Sequence, residues 1–208
     1  MTPIRVLAVM LVLAVTPGCG ALLGGDTEPL DAYELRVPAD LPQAARQGTR
    51  TLSIEQPGTT GGLAIDRIMI RPTPLQAFYL PGARWTADAH LMVHGMLLRA
   101  FEDTGALSYV GRRPLGATGD FVLLSDLTDF QAELSQDGES VAVRVRLMAR
   151  LVREEDATVR SARAFQAVVP AASDAAFDVV TAFDSATGIV LRDLTGWALP
   201  LMGARAGS

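Results

Sequence analysis

The stretch SVAVRVRLMARLVR, residues 140–153, has the clearest periodicity in the chain. Val141, Val143, Val145, Leu147, Ala149 and Leu151 fall on one side; Arg144, Arg146 and Arg150 fall on the other. Side chains alternate across a strand, so this pattern predicts a half-buried antiparallel strand about 40 Å long. The arginine row reads most simply as a solvated face. Its functional alternative is a contact strip for an acidic partner or for lipid headgroups.

Working outward, the flanking segments have the same character. Asp120–Leu134 reads as a long strand, and SQDGES after it holds the Asp-Gly pair that favours a hairpin. EEDAT turns the chain again, and Val159–Val169 returns as a third long strand. Upstream, Ala32–Val37, Thr51–Gln56, Ile68–Arg71 and Leu107–Val110 read as shorter strands. Thr86 can cap a helix running to about Asp103, with Gly105 just past its end, and Val93, Leu97, Ala100 and Phe101 recur at helical spacing. Ser173 can cap a second helix ending near Trp197, with Val179, Val180, Phe183, Val190, Leu191 and Leu194 on one face. The expected fold is α+β: a mostly antiparallel sheet with a long-stranded meander and two main helices packed on one face.

The N-terminus carries a different signal. Arg5 is followed by an uncharged apolar run, Val6–Val15, which is the pattern of a secretory signal peptide and too short to span a bilayer. The run leads through Thr16, Pro17 and Gly18 to Cys19, the chain's single cysteine. A small residue before an obligatory cysteine is how bacterial lipoprotein signals end, although leucine usually stands where Thr16 does. Residues 1–18 are therefore expected to be removed, with Cys19 receiving diacylglycerol and fatty acyl groups such as palmitate. Residues 19–30 are small and polar and read as a flexible tether. Residues 31–198 form the domain, and residues 199–208 read as a loose tail.

Composition narrows the function further. The hydrophobic fraction is 49%, the charged fraction 20% and the net charge −5, which suits one globular domain with a core. All 18 basic residues are arginine and none forms a run, so a nucleic-acid partner is not expected. No second apolar segment is long enough to span a membrane. Neither a G-x-S-x-G elbow nor a phosphate-binding G-x-x-x-x-G-K-[ST] loop occurs. His90 and His94 sit four apart on the first helix, but no third ligand accompanies them, so they read as edge-of-core residues rather than metal ligands. Asp126 and Asp129 on a regular strand would point to opposite faces. Neither catalytic nor metal residues are expected, and no cofactor beyond the acyl groups on Cys19.

One segment resists a purely structural account. FYLPGARWTADA, residues 78–89, sets three aromatics and an arginine around a Pro-Gly pair that reads as a turn. Turns rarely carry so many aromatics unless something covers them. Either the rings fold back as a lid on the core, or Phe78, Tyr79, Arg84 and Trp85 form a partner interface, since Tyr, Trp and Arg are enriched at binding hot spots.

Five blocks in order resemble the ABC-type transport auxiliary lipoproteins. They are GLAIDRIMIRP, YLPGARWTADAHLMVHGMLLRAFEDTGALSYVGR, DFVLLSDLTDFQAEL, VRVRLMARLVR and FQAVVPAASDAAFDVVTAFDSATGIVLRDLTGW, together covering about Leu30–Trp197. The resemblance implies a non-enzymatic periplasmic subunit of an MCE-type ABC system for intermembrane lipid transport. Its partners would be an MCE-domain protein and, through it, an ABC permease and ATPase; a homo-oligomer is compatible with this. Gly20 after the cysteine is not the aspartate that retains lipoproteins at the inner membrane, which implies the periplasmic face of the outer membrane. The alternative reading is a free-standing envelope lipoprotein that binds a lipid in its own pocket.

Overall fold

A computed structural model of the chain describes residues 29–59, 61–112 and 119–204. The signal segment, Cys19 and most of the tether lie outside the described residues. Eight strands form one sheet: β1 (Asp31–Tyr33), β2 (Thr51–Ile54), β3 (Arg67–Arg71), β4 (Phe78–Trp85), β5 (Tyr109–Gly111), β6 (Phe121–Leu134), β7 (Val141–Arg153) and β8 (Thr158–Pro170). Helix α1 spans Ala89–Asp103 and helix α2 spans Ala176–Leu201. The fold is α+β, as the sequence predicts.

β6 organises the sheet. Along one edge it pairs antiparallel with β7 over its whole length, and β7 pairs antiparallel with β8. Its other edge is shared by two short parallel partners, β2 at Leu52–Ile54 and β3 at Met69–Arg71. β5 extends the β2 branch in parallel; β4 joins β3 antiparallel, and β1 joins β4 in parallel. The long pairings are thus antiparallel, and of the short ones only β3 with β4 is. Both helices cover the same face, α2 over β7 and β8, and α1 over β2 and β5. Val141, Val143, Val145, Leu147, Ala149 and Leu151 are all buried there, on the face their spacing predicts. No helix among the described residues is long and apolar enough to cross a membrane.

Four expectations need correcting. First, the Pro81-Gly82 pair is not a turn but a bulge inside β4. Arg84 pairs with Arg67 and Tyr79 with Met69, so five steps of β4 face two of β3, and Gly82 takes φ 68° to absorb the excess. Second, a register shift in β6 between Leu127 and Asp129 brings Asp126 and Asp129 to the same, outer face. Third, the helix starts lie later than the hydroxyl residues suggest, with Asp88 and Ala175 at the cap positions. Ser173 instead accepts from the Ala175 amide and donates to Asp178.

Fourth, the tail is shorter than residues 199–208. α2 runs through Leu201, Leu199 and Met202 are buried, and the helix closes on Gly203. Gly203 takes φ 81°, its amide donates to Pro200, and the Ala204 amide donates to Leu199. Those two bonds satisfy two of the carbonyls that a helix end exposes. Residues 205–208 lie outside the described residues.

Candidate interaction surface

The outer face of the meander is a charged lattice. Arg144 grips Glu133 with two bonds, Nε to Oε1 at 2.9 Å and Nη2 to Oε2 at 3.0 Å. Arg150 meets Asp126 at 2.9 Å, and Arg146 stands opposite Asp129 across the strand pair. The arginine row is therefore faced by carboxylates of β6, which the bulge at Thr128 aligns with it. A strip already matched in charge fits a solvated face better than a docking site for an acidic partner.

Arg144 holds the Glu133 carboxyl below the usual range by hydrogen bonding, against the opposing effect of burial, with Gln131 adding a second donor. At the other end of β6, burial would raise Asp120, but Arg50 and the amide and hydroxyl of Thr51 donate to it and lower it overall. Groups depressed in the folded state stabilise it above their unfolded values and lose that contribution as pH falls through the folded ones. Stability should therefore decline below about pH 4, where unfolded carboxylates begin to bind protons. Glu133→Gln is expected to make this acid decline shallower while costing under about 1 kcal/mol at pH 7, as a half-exposed pair implies. Urea unfolding at pH 7 and pH 3.5 measures both.

The two histidines do not form a site. His94 is buried, and its Nε2 donates to the Ile54 carbonyl at 2.9 Å, tying α1 to the end of β2. His90 is half-buried, and among the described residues no three His, Cys, Asp or Glu side chains converge as metal ligands do.

Two clefts among the described residues indent the surface near α2. One of about 590 Å³ lies where β6 begins, among Arg50, Asp120, Arg153, Glu155 and Arg160 and the end of α2. Another, of about 430 Å³, sits between the Arg36–Ala39 segment and α2, where Arg36 pairs with Asp184 and Arg192 with Asp40. Neither is lined by the apolar helix faces, which are spent on the sheet: Met96, Leu97, Phe183 and Leu194 are all fully buried.

The residues of the aromatic segment separate. Trp85 is 0% exposed and belongs to the core, which removes it from any partner interface. Its ring meets Phe183 of α2 edge-on at 5.1 Å and Phe130 of β6 at 5.6 Å. Arg84 is half-buried and pairs with Asp66 at 3.3 Å. Phe78 and Tyr79, at the start of β4, remain exposed beside Leu75 of the preceding turn. Leu75 is the residue that sequence reasoning missed. A lone leucine between Pro74 and Gln76 carries no periodic signal.

Three comparisons bear on this arrangement. A family model described as the ABC-type transport auxiliary lipoprotein component matches residues 33–194. The uncharacterized protein bll6063 of Bradyrhizobium diazoefficiens is 28% identical over 184 residues, 85% of this chain. The chain spans 47% of that relative's length. The crystal structure of protein XCC0632 from Xanthomonas campestris superposes with a TM-score of 0.72 at 29% identity, covering 83% of this chain and 95% of the other. A second crystal structure, of an uncharacterized protein, shares the fold with a TM-score of 0.63 at 16% identity, covering 82% of this chain and 99% of that one.

Proposed function

The chain belongs to the ABC-type transport auxiliary lipoprotein family, and from that premise we propose that it is the non-catalytic, lipid-anchored subunit of an MCE-type ABC system. In this reading Cys19 carries the acyl groups, the tether gives reach, and the folded domain docks on an MCE-domain protein at the periplasmic face of the outer membrane. The permease and ATPase are separate chains, and the transported material is lipid passing between membranes. The observation that carries it is the extent of the family match, which runs from the end of β1 into α2 and takes in β2 to β8, α1 and most of α2. The packed helix faces support an adaptor over a lipid carrier, since an acyl chain needs an apolar cavity.

The test is capture from cells. A tagged chain extracted from membranes is expected to bring down an ABC permease and ATPase. Recovery of the chain with bound lipid and without either subunit would favour the carrier reading instead.

A further inference from the structure

The turn between β3 and β4 displays apolar side chains that nothing in the described domain covers. The Thr73 carbonyl accepts the Gln76 amide at 3.2 Å, closing a β-turn in which Pro74 sets the first corner. Arg71 braces it by donating from Nη1 to the Pro74 carbonyl. Leu75 stands at the tip, 98% exposed, followed by Phe78 at 54% and Tyr79. Single exposed apolar residues are ordinary, but an ordered hairpin end bearing three is a patch.

The path of the chain says what lies beside it. β1 runs parallel to β4, with Asp31 opposite Ala83 and Tyr33 opposite Trp85. The chain before Asp31 therefore arrives from the side where β4 starts, which is the side of the hairpin turn. Residues 19–30 reach about 40 Å fully extended, whereas β3, which leads to the turn, is only about 17 Å long. A membrane holding acyl chains on Cys19 can thus lie at the hairpin end. The side chains suit such a surface. The Arg67 guanidinium stacks 5.5 Å over the Tyr79 ring, and Arg71, which also feels the Glu133 carboxylate, flanks the turn, so two cations stand behind the apolar tip. Tyrosine is itself favoured at the membrane–water boundary. The adjacent β6–β7 turn carries Asp137 and Glu139, which confines the contact to the hairpin.

We propose that the β3–β4 hairpin is a membrane-contact element, in which Leu75 and Phe78 enter the bilayer surface while Tyr79, Arg67 and Arg71 meet its headgroups. This rests on the acylation of Cys19. The tether keeps the hairpin at high effective concentration near lipid, so a contact too weak to act alone is sufficient. Its consequence is orientation: the opposite end, where β6 begins and α1 ends, is held away from the bilayer.

The test uses the full acylated chain with Leu75→Cys. Acylation occupies Cys19, so the new thiol alone takes an environment-sensitive fluorophore. On vesicles of phosphatidylethanolamine and phosphatidylglycerol, emission at position 75 is expected to rise several-fold and to be quenched by brominated acyl chains. A Glu102→Cys probe at the end of α1 should not respond. A chain that floats with the vesicles while the probe at 75 stays in water overturns the hairpin contact and leaves the anchor standing. A chain that does not float overturns both. A probe at 75 that responds only when a transporter subunit is added assigns the hairpin to a protein, and overturns the proposal as well.

Discussion

Replacing Trp85 by alanine is expected to destabilise the domain by about 3–5 kcal/mol. The indole joins three elements, β4 by covalent position, β6 through Phe130 and α2 through Phe183, and Phe130 and Phe183 also touch each other at 4.9 Å. Truncation removes the burial of the whole ring and leaves a void between layers that cannot close without shifting α2. For a domain of this size the loss corresponds to a fall of roughly 10 °C in Tm. Trp85→Phe, which keeps an aromatic ring against Phe183, should recover part of it. Thermal unfolding followed by circular dichroism decides the matter. An unchanged Tm with lost partner binding would instead return Trp85 to the surface role that its sequence neighbourhood suggests.

The second large effect is expected at Cys19. Each buried methylene contributes about 0.8 kcal/mol, and while one acyl chain holds a protein only marginally, two or three make the attachment stable. Cys19→Ser removes the sulfur proposed to accept the diacylglycerol. Most of the protein should then move from the membrane fraction to the soluble envelope fraction, with its Tm unchanged because the substitution lies upstream of β1. A Cys19→Ser chain that still pellets with membranes would show that Thr16 and Pro17 signal something other than lipoprotein processing.

The meander was legible because alternation over β7 fixes one face, and a single-residue slip would expose every valine of that face. The bulges were not. Whether Thr128 is an extra residue depends on how β7 sits against β6, and whether Pro81-Gly82 turns the chain or bends a strand depends on β1 and β3. Both are properties of partners far away in sequence. The choice between core and interface for Trp85 stayed open for the same reason, since Phe130 and Phe183 become its neighbours only once the sheet is assembled. The end of α2 is a different case. Gly203, following the apolar Leu199 and Met202, is a helix-stop signal lying in plain sequence, beyond the expected end near Trp197. The apolar hairpin tip had no sequence signature at all. Leu75 matters only because the fold leaves it in water on the side from which the chain enters β1.

Direct binding between purified proteins tests most simply whether this domain works by docking. The full chain in detergent, mixed with the MCE-domain protein proposed as its partner, should co-elute with it as one complex in size-exclusion chromatography. Separate elution of the two at micromolar concentration would contradict the account.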